Sequence, residues 1–226
     1  MSPRLHCTAD WHLRADARHD APTVAALRRV VAAMLPGDWL LACGDLTDNG
    51  SDAEYASLRA LLLELRLEGR VLLVPGNHDV GLQGLLVQAA ARGRWARLVR
   101  ELRSPARVQV GSLLVGALDS CLLTPWPGDL AEGRLGARQA ARAQAICEDA
   151  HAACLRPVLA MHHWAWCRDS ALRLLDAERV KRLVADERAT VIAGHTHCAE
   201  ERSGPGWRGL CLGALGAVGR AEAVGG

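Results

Sequence analysis

The chain has no phenylalanine, one tyrosine (Tyr55) and one lysine (Lys181) in 226 residues. Core aromatics therefore have to come mostly from tryptophan, and arginine is the habitual cation, so an arginine count says little by itself. No apolar run reaches the ~18 residues a membrane span requires, and no basic segment followed by a long apolar block opens the chain. A soluble, cytoplasmic protein with no membrane partner is the expectation. None of the eight cysteines forms a CxxC pair, and a chain with half of its residues apolar can bury one substantial core without staples, so the thiols are read as reduced. Cys7 and Cys43 lie in apolar runs as small hydrophobes, and Cys198, despite following His197, is read as a packing or surface residue. The net charge is only +2, which excludes a chain that is basic all over for nucleic acid. One domain over residues 1–226 is expected.

One local exception stands out. Arg92, Arg94, Arg97, Arg100, Arg103 and Arg107 face a single acid, Glu101, with Trp95 among them. Arg97, Arg100, Arg103 and Arg107 are spaced to share a helix face. A solvated face explains such a run more often than a phosphate-binding or nucleic-acid-binding one, so nucleic acid is a disfavoured partner.

What is present in abundance is one pattern, an apolar run that ends in polar residues. Val71 to Val74 leads through Pro75 and Gly76 to Asn77, His78 and Asp79. Leu5 to Ala9 leads to Asp10 and His12, Trp39 to Cys43 to Gly44 and Asp45, Val158 to Met161 to His162, and Val191 to Ala193 to Gly194, His195 and His197. These read as buried strands delivering side chains to a common edge. Helices are predicted between them, at Pro22 to Leu35 and from a Ser51/Glu54 capping box to about Glu68, where Gly69 closes the helix. Strands alternating with helices imply a parallel sheet, with polar strand ends where open α/β sheets place their sites. Gly81 to Ser104 reads as mostly helical. Ala106 to Val110 and Ser112 to Leu118 read as two strands joined at Gly111 and opening a second sheet. Cys121 to Gly136, around Trp126, reads as loop. Helices follow at Ala137 to Cys154 and about Asp176 to Glu187, and Ala199 to Arg202 can pair with Trp207 to Leu212.

Imidazoles mixed with a few carboxylates suit transition metals such as Zn, Mn, Fe or Co better than Mg or Ca. Asp10, His12, Asp45, Asn77, His162, His195 and His197 are too many ligands for one tetrahedral ion. Two ions sharing a carboxylate would use them all, and a pair about 3.5–4 Å apart stabilises both attacking and leaving oxygens at phosphorus. Any one of these short motifs is common by chance. All of them in one order, each at the end of an apolar run, are not.

The series Asp10-Trp11-His12, Gly44-Asp45-Leu46-Thr47-Asp48-Asn49-Gly50, Gly76-Asn77-His78-Asp79, His162-His163 and Gly194-His195-Thr196-His197 resembles the calcineurin-like metallophosphoesterase superfamily, over residues 5 to about 212. The resemblance implies an α/β fold, a four-layer αββα sandwich of two facing mixed β-sheets flanked by helices. It implies two divalent or trivalent ions (Mn, Fe or Zn), one held by Asp10, His12 and His197, the other by Asn77, His162 and His195, with Asp45 bridging. His162 is chosen over His163 because the family's ligand directly follows the strand; Trp164 stands where many relatives have proline. The activity implied is hydrolysis of a phosphoester by a metal-bridging hydroxide. With Asn77 neutral, two divalent ions set against two carboxylates and that hydroxide leave one positive charge, matched to a phosphodiester. His78 is expected to contact the phosphate and protonate the leaving oxygen. Asp79 either fixes the tautomer of His78 or caps the following turn.

Within the superfamily, Asn49 after Asp48 departs from the arginine of protein serine/threonine phosphatases, and the short stretch after His197 leaves no room for the DNA-capping domain of the repair nucleases. The Gly44–Gly50 and Pro75–Asp79 motifs, Asp119-Ser120, Gly133 to Gly136 and Gln139 are most similar to the class III cyclic-nucleotide phosphodiesterase branch. The expected partner is thus a small phosphodiester or nucleotide. A nuclease, a phosphomonoesterase and a non-catalytic metal-stabilised scaffold are the alternatives. Trp11, Trp164 and Trp166 flank the metal motifs and either stack on a base or fill the core.

Overall fold

Three short apolar strands, β1 (Leu5–Thr8), β2 (Trp39–Cys43) and β3 (Val71–Val74), pair in parallel, as runs buried on both faces do. The computed structural model describes residues 2–80, 84–121, 131–215 and 222–224, with backbone alone at 17–19, 84–87 and 222–224. The segment at 222–224 adds antiparallel to β1, giving a four-stranded mixed sheet. A second sheet of six strands contains β4 (Arg107–Val110), β5 (Leu113–Ala117), β6 (Arg156–Ala160), β7 (Thr190–Ala193), β8 (Glu200–Gly204) and β9 (Trp207–Cys211), in the order β4-β5-β6-β7-β9-β8. Its four central strands are parallel, and β4 and β8 are antiparallel edges.

The alternation of side chains along each strand sorts the core into layers. Leu5, Cys7, Leu41, Cys43, Leu72 and Val74 of the first sheet form one cluster with Leu113, Val115, Val158, Ala160 and Ile192 of the second. The intervening residues point outward. Leu40, Ala42, Val71 and Leu73 pack with residues of α1 (Ala17–Ala32), α2 (Asp52–Glu64) and α4 (Gly84–Glu101). Leu159, Met161, Val191 and Ala193 pack with α5 (Gly136–Ala152) and α6 (Ala177–Asp186). The result is the four-layer sandwich, two facing sheets flanked by helices, with three buried apolar layers where one core was expected.

Several boundaries move for local reasons. The first helix starts at Ala17 rather than Pro22, with Asp20 accepting the Arg14 amide through both carboxylate oxygens at 3.0 Å. The Ser51/Glu54 capping box is present, but α2 stops before Gly69. Arg66 enters the left-handed region at φ 56°, its amide turning back to Leu63 and that of Leu67 to Leu62, so a Schellman-type turn ends the helix and leaves Leu67 buried. The arginine face is likewise cut short. Helix α4 ends at Glu101, Arg103 sits in a left-handed turn and Arg107 opens β4, so the four do not share one helix face. Gly81 to Gln83, and Trp126 with its neighbours 122–130, lie outside the described residues.

Register aligns the strand ends. Leu41 pairs with Cys7 and Leu72, and Ile192 with Ala160, so the strands of each sheet end nearly flush and their loops emerge along one edge. The entrance to β2 is pinned by Asp38, 1% exposed, which accepts the Arg4 amide at 2.8 Å, the Leu35 amide at 2.9 Å and His6 Nε2 at 3.0 Å. Burial pushes this carboxyl upward, but the Leu35 amide, the His6 ring and the Arg4 amide outweigh it and hold the pKa at about 2. A depressed folded-state pKa contributes stability that is complete above the unfolded value of about 4 and is lost as pH falls through about 2. Urea midpoints measured between these limits should fall steeply for the wild type. Asp38→Asn should be less stable near neutrality and flatter over that interval; parallel curves would refute the role of Asp38.

Candidate metal centre

Each motif residue emerges from a strand end. Asp10 and His12 follow β1, Asp45 follows β2, Asn77 opens the short helix α3 (Asn77–Val80) after β3, His162 follows β6, and His195 and His197 follow β7. Five of these seven have left-handed backbones, with φ of 53° at Asp10, 44° at His12, 51° at Asp45, 78° at His195 and 56° at His197. An L-residue there costs ~1 kcal/mol or more and persists only where neighbours over-determine it. The neighbours are visible. Asp10 N donates to Gly44 O at 3.0 Å, and the amides of Trp11 and His12 converge on Asp45 O at 2.8 and 2.9 Å.

Two motif glycines are required by close approach. A Cβ on Gly44, itself at φ 86°, would lie 2.3 Å from His162 Nδ1, and one on Gly76 would lie 2.1 Å from Asp45 Oδ1. The glycines of Gly-Asp and Gly-Asn-His are thus the floor on which a ligand from another strand rests.

Asp10, His12 and His197 form one group of donor atoms, and Asp45, His162 and His195 a second. A third group, His12, Asp45 and His78, spans the gap and brings His78 within ligand reach, a placement the sequence pattern did not foretell. His162 Nε2 lies 3.1 Å from Asp45 Oδ2, and His12 Nε2 lies 3.8 Å from the same oxygen. Two imidazole pairs face each other nitrogen to nitrogen, His12 Nε2 with His197 Nε2 at 3.0 Å and His195 Nδ1 with His162 Nε2 at 3.1 Å. Asn77 Oδ1 is buried and accepts no hydrogen bond among the described residues. Imidazole nitrogens turned on one another, buried carboxylates and an unpartnered amide oxygen fit transition-metal cations as common acceptors of their lone pairs.

The electrostatics agree. Burial, with Asp45 adding to it against the opposing His162, raises Asp10 to about 7. Asp45 is equally buried, yet the charge and hydrogen bond of His162 hold its carboxyl well below the usual range. Burial would lower His162, but Asp45 raises it to about 9. Desolvation lowers His12 to about 4 and His195 to about 3. Burial keeps His12 and His195 neutral with free lone pairs, while Asp45 stays ionised against His162, a set of donors that cations complete.

His78 is placed by its own turn. Its amide donates to Asp45 Oδ1 at 2.9 Å, and its Nδ1 donates to the Asp48 carbonyl at 2.7 Å, because a carbonyl can only accept. That leaves Nε2 as the available nitrogen. Asp79 does not orient His78. Its carboxylate accepts the amides of Gly76, Leu46 and Thr47 and the Thr47 hydroxyl at 2.8–3.0 Å, lacing the Asn77 turn to the Asp45 loop. The tautomer-setting part belongs to Asp48, whose carboxylate also lies 3.4 Å from His12 Nδ1. The carboxylate's approach to His12 had a signal in the place of Asp48 in Gly-Asp-x-x-Asp, whereas the carbonyl's had none. His163 bonds Ser120 Oγ through Nδ1 at 2.8 Å and joins none of the donor groups among the described residues. Trp11 and Trp164 are 2% and 0% exposed and fill separate cores, so neither presents a face to a base. Trp166 stacks on Trp207 with centroids 5.2 Å apart. Every cysteine is a free thiol, and no metal-holding group among the described residues includes Cys198.

Gly76→Ala acts through Asp45, whose Oδ1 and backbone nitrogen would lie 2.1 and 2.2 Å from the new Cβ, with no left-handed strain added at Gly76. The variant, checked for a cooperative thermal transition, should carry fewer tightly bound ions per chain than the wild type after exhaustive dialysis, as read by elemental analysis. Unchanged metal content would show that the Asp45 position is not critical.

No helix among the described residues is long and apolar enough to cross a membrane. No curated protein sequence matches the chain. Solved structures of similar fold include a dimetal phosphatase from Danio rerio, at TM-score 0.69 and 14% identity, covering 95% of this chain and 88% of that one. A phosphopantetheinyl hydrolase from Mycobacterium tuberculosis aligns at TM-score 0.53 and 17% identity over 94% of this chain and 90% of its own. The inner-membrane-complex anchor of Plasmodium aligns at 0.60 and 10% identity over 96% and 72%. The family model for calcineurin-like phosphoesterase matches residues 3–199, and with the strand-end donors in place the chain belongs to that family.

Proposed function

We propose that this member of a metal-dependent phosphoesterase family is a phosphodiesterase acting on a small phosphodiester or nucleotide, with a cyclic nucleotide as one candidate. The observation that carries the reading is the pairing of two donor groups with a histidine whose free Nε2 stands beside them. Asp10, His12 and His197 would hold one ion, and Asn77, His162 and His195 the other, with Asp45 shared. Two such ions lower the pKa of water toward neutrality and neutralise charge on the phosphoryl oxygens. Asn77 contributes no charge, so the site keeps more positive potential than a third carboxylate would leave, which favours a monoanionic diester. Cytoplasmic placement fits a chain whose thiols are all free.

His78 acts on the leaving group. With Nδ1–H committed to the Asp48 carbonyl, any additional proton sits on Nε2, and that proton passes to the departing oxygen. Asp79 is a positioning residue for this step because it ties the turn that carries His78 to Leu46 and Thr47. The alternative of a phosphomonoesterase takes support from the dimetal phosphatase of similar fold.

His78→Ala separates the two parts it can play. The expected variant keeps its full metal content and loses ~10²-fold or more in turnover of a chromogenic diester. Loss of an ion would make His78 a ligand, in line with the donor group it shares with His12 and Asp45. Full metal content with unchanged turnover would remove it from the mechanism.

A further inference from the structure

The arginines around the site divide into two kinds. Along the basic run Arg92, Arg94, Arg103 and Arg107 are ion-paired with Asp119, Asp52, Glu68 and Asp149. Arg134 and Arg138, from the other side of the molecule's sequence, form no ion pair among the described residues, and both are exposed. They line one open cavity of about 280 Å³ together with Arg92, Asp119 and Cys121. Among the described residues three guanidinium groups thus meet a single carboxylate. Arg92 is already oriented, donating from Nη1 to Asp119 at 2.7 Å and from Nη2 to the Cys121 carbonyl at 2.8 Å. The positive character does not come from the start of α5, because Asp176 takes the amides of Leu135 and Gly136, both at 2.8 Å.

Hydrogen bonds from residues 120 and 121 tie the lining of this cavity to the loops of the metal centre. Cys121 Sγ donates to the carbonyl of Pro75, just before Gly76 and Asn77, at 3.3 Å. Arg134 N donates to Ser120 O at 2.9 Å, and Ser120 Oγ bonds His163, whose ring centroid lies 4.4 Å from that of His195. Residues 119–121 thus connect the arginine-lined cavity to the turn that carries Asn77.

We propose that this cavity receives a second anionic group of the substrate, a phosphate or comparable oxyanion held apart from the scissile ester, with Arg134 and Arg138 as specificity-determining residues. The substrate is then a phosphoester with at least two anionic groups. Guanidinium forks match oxyanions in geometry as well as charge, and Asp119 compensates only one of the three. This assignment rests on the phosphoesterase reading for the ester it accompanies. A cyclic mononucleotide, with one anionic group, would leave the arginines unused.

The test uses the full chain loaded with Mn²⁺ and two ligands that cannot be hydrolysed, propane-1,3-diphosphonate and propylphosphonate, titrated calorimetrically. The wild type should bind the diphosphonate at least about tenfold more tightly, as for a gained charge-assisted contact. In Arg134→Gln/Arg138→Gln, checked for an unchanged thermal midpoint, that preference should collapse while propylphosphonate affinity holds. Equal affinities in the wild type, or a preference that survives in the double variant, would overturn the assignment. Hydrolysis of thymidine 5′-(p-nitrophenyl phosphate) is measured alongside. Turnover of this ester without a diphosphonate preference sinks the subsite alone, and an arginine-dependent preference without turnover keeps the anion site and sinks the phosphoesterase reading.

Discussion

Where β2 and β6 end, the two sheets are joined by the site itself. His162 Nδ1 donates to the Cys43 carbonyl at 3.0 Å, its Nε2 meets Asp45 Oδ2 at 3.1 Å, and the Cys43 thiol donates to the Met161 carbonyl at 3.1 Å. A second link lies at the end of β1 and β7, where Asp10 accepts the His195 amide through both oxygens at 3.0 and 3.1 Å. The facing sheets therefore converge on side chains that cations complete. The left-handed backbones at Asp10, His12, Asp45, His195 and His197 belong to the same constraint. The chain must turn sharply as it leaves each strand so that donors from two sheets meet, and packing elsewhere sustains the strain.

That dependence explains how much was legible in the sequence. The strands read well because each is an apolar run with polar residues at its exit, and the parallel order came from the helices between them. Which residues would meet was equally legible, since the structure brings Asp10, His12, Asp45, His162, His195 and His197 together from segments distant in sequence. What could not be read was partner choice at short range. Asp79 follows His78 and looks like its orienter, yet Thr47 and three amides take the carboxylate, and the orienting acceptor is a backbone carbonyl at Asp48. Carbonyl positions have no signature in residue type. Arg103 and Arg107 failed similarly, because helical spacing says nothing of where the helix stops. Trp11 and Trp164 went to the core, in keeping with a chain that has no phenylalanine.

Family membership and site geometry answer different questions. The solved structures of similar fold share 10–17% of their residues with this chain and show architecture, which hosts catalysts and an anchor alike. The chemistry rests on particular groups: buried carboxylates opposed by imidazoles, an amide oxygen without a donor, and a histidine with one nitrogen committed and the other free. In the proposed reading substrate choice lies outward from these, where Arg92, Arg134 and Arg138 line a cavity with Asp119.

The central claim is that residues from both sheets hold two ions with Asp45 between them. Crystals of the protein grown with Mn²⁺ and measured for anomalous scattering test it directly. Two peaks about 3.5–4 Å apart, as in two-metal sites, with a carboxylate oxygen of Asp45 contacting both, are expected. A single peak, or two peaks with Asp45 contacting only one, would contradict it.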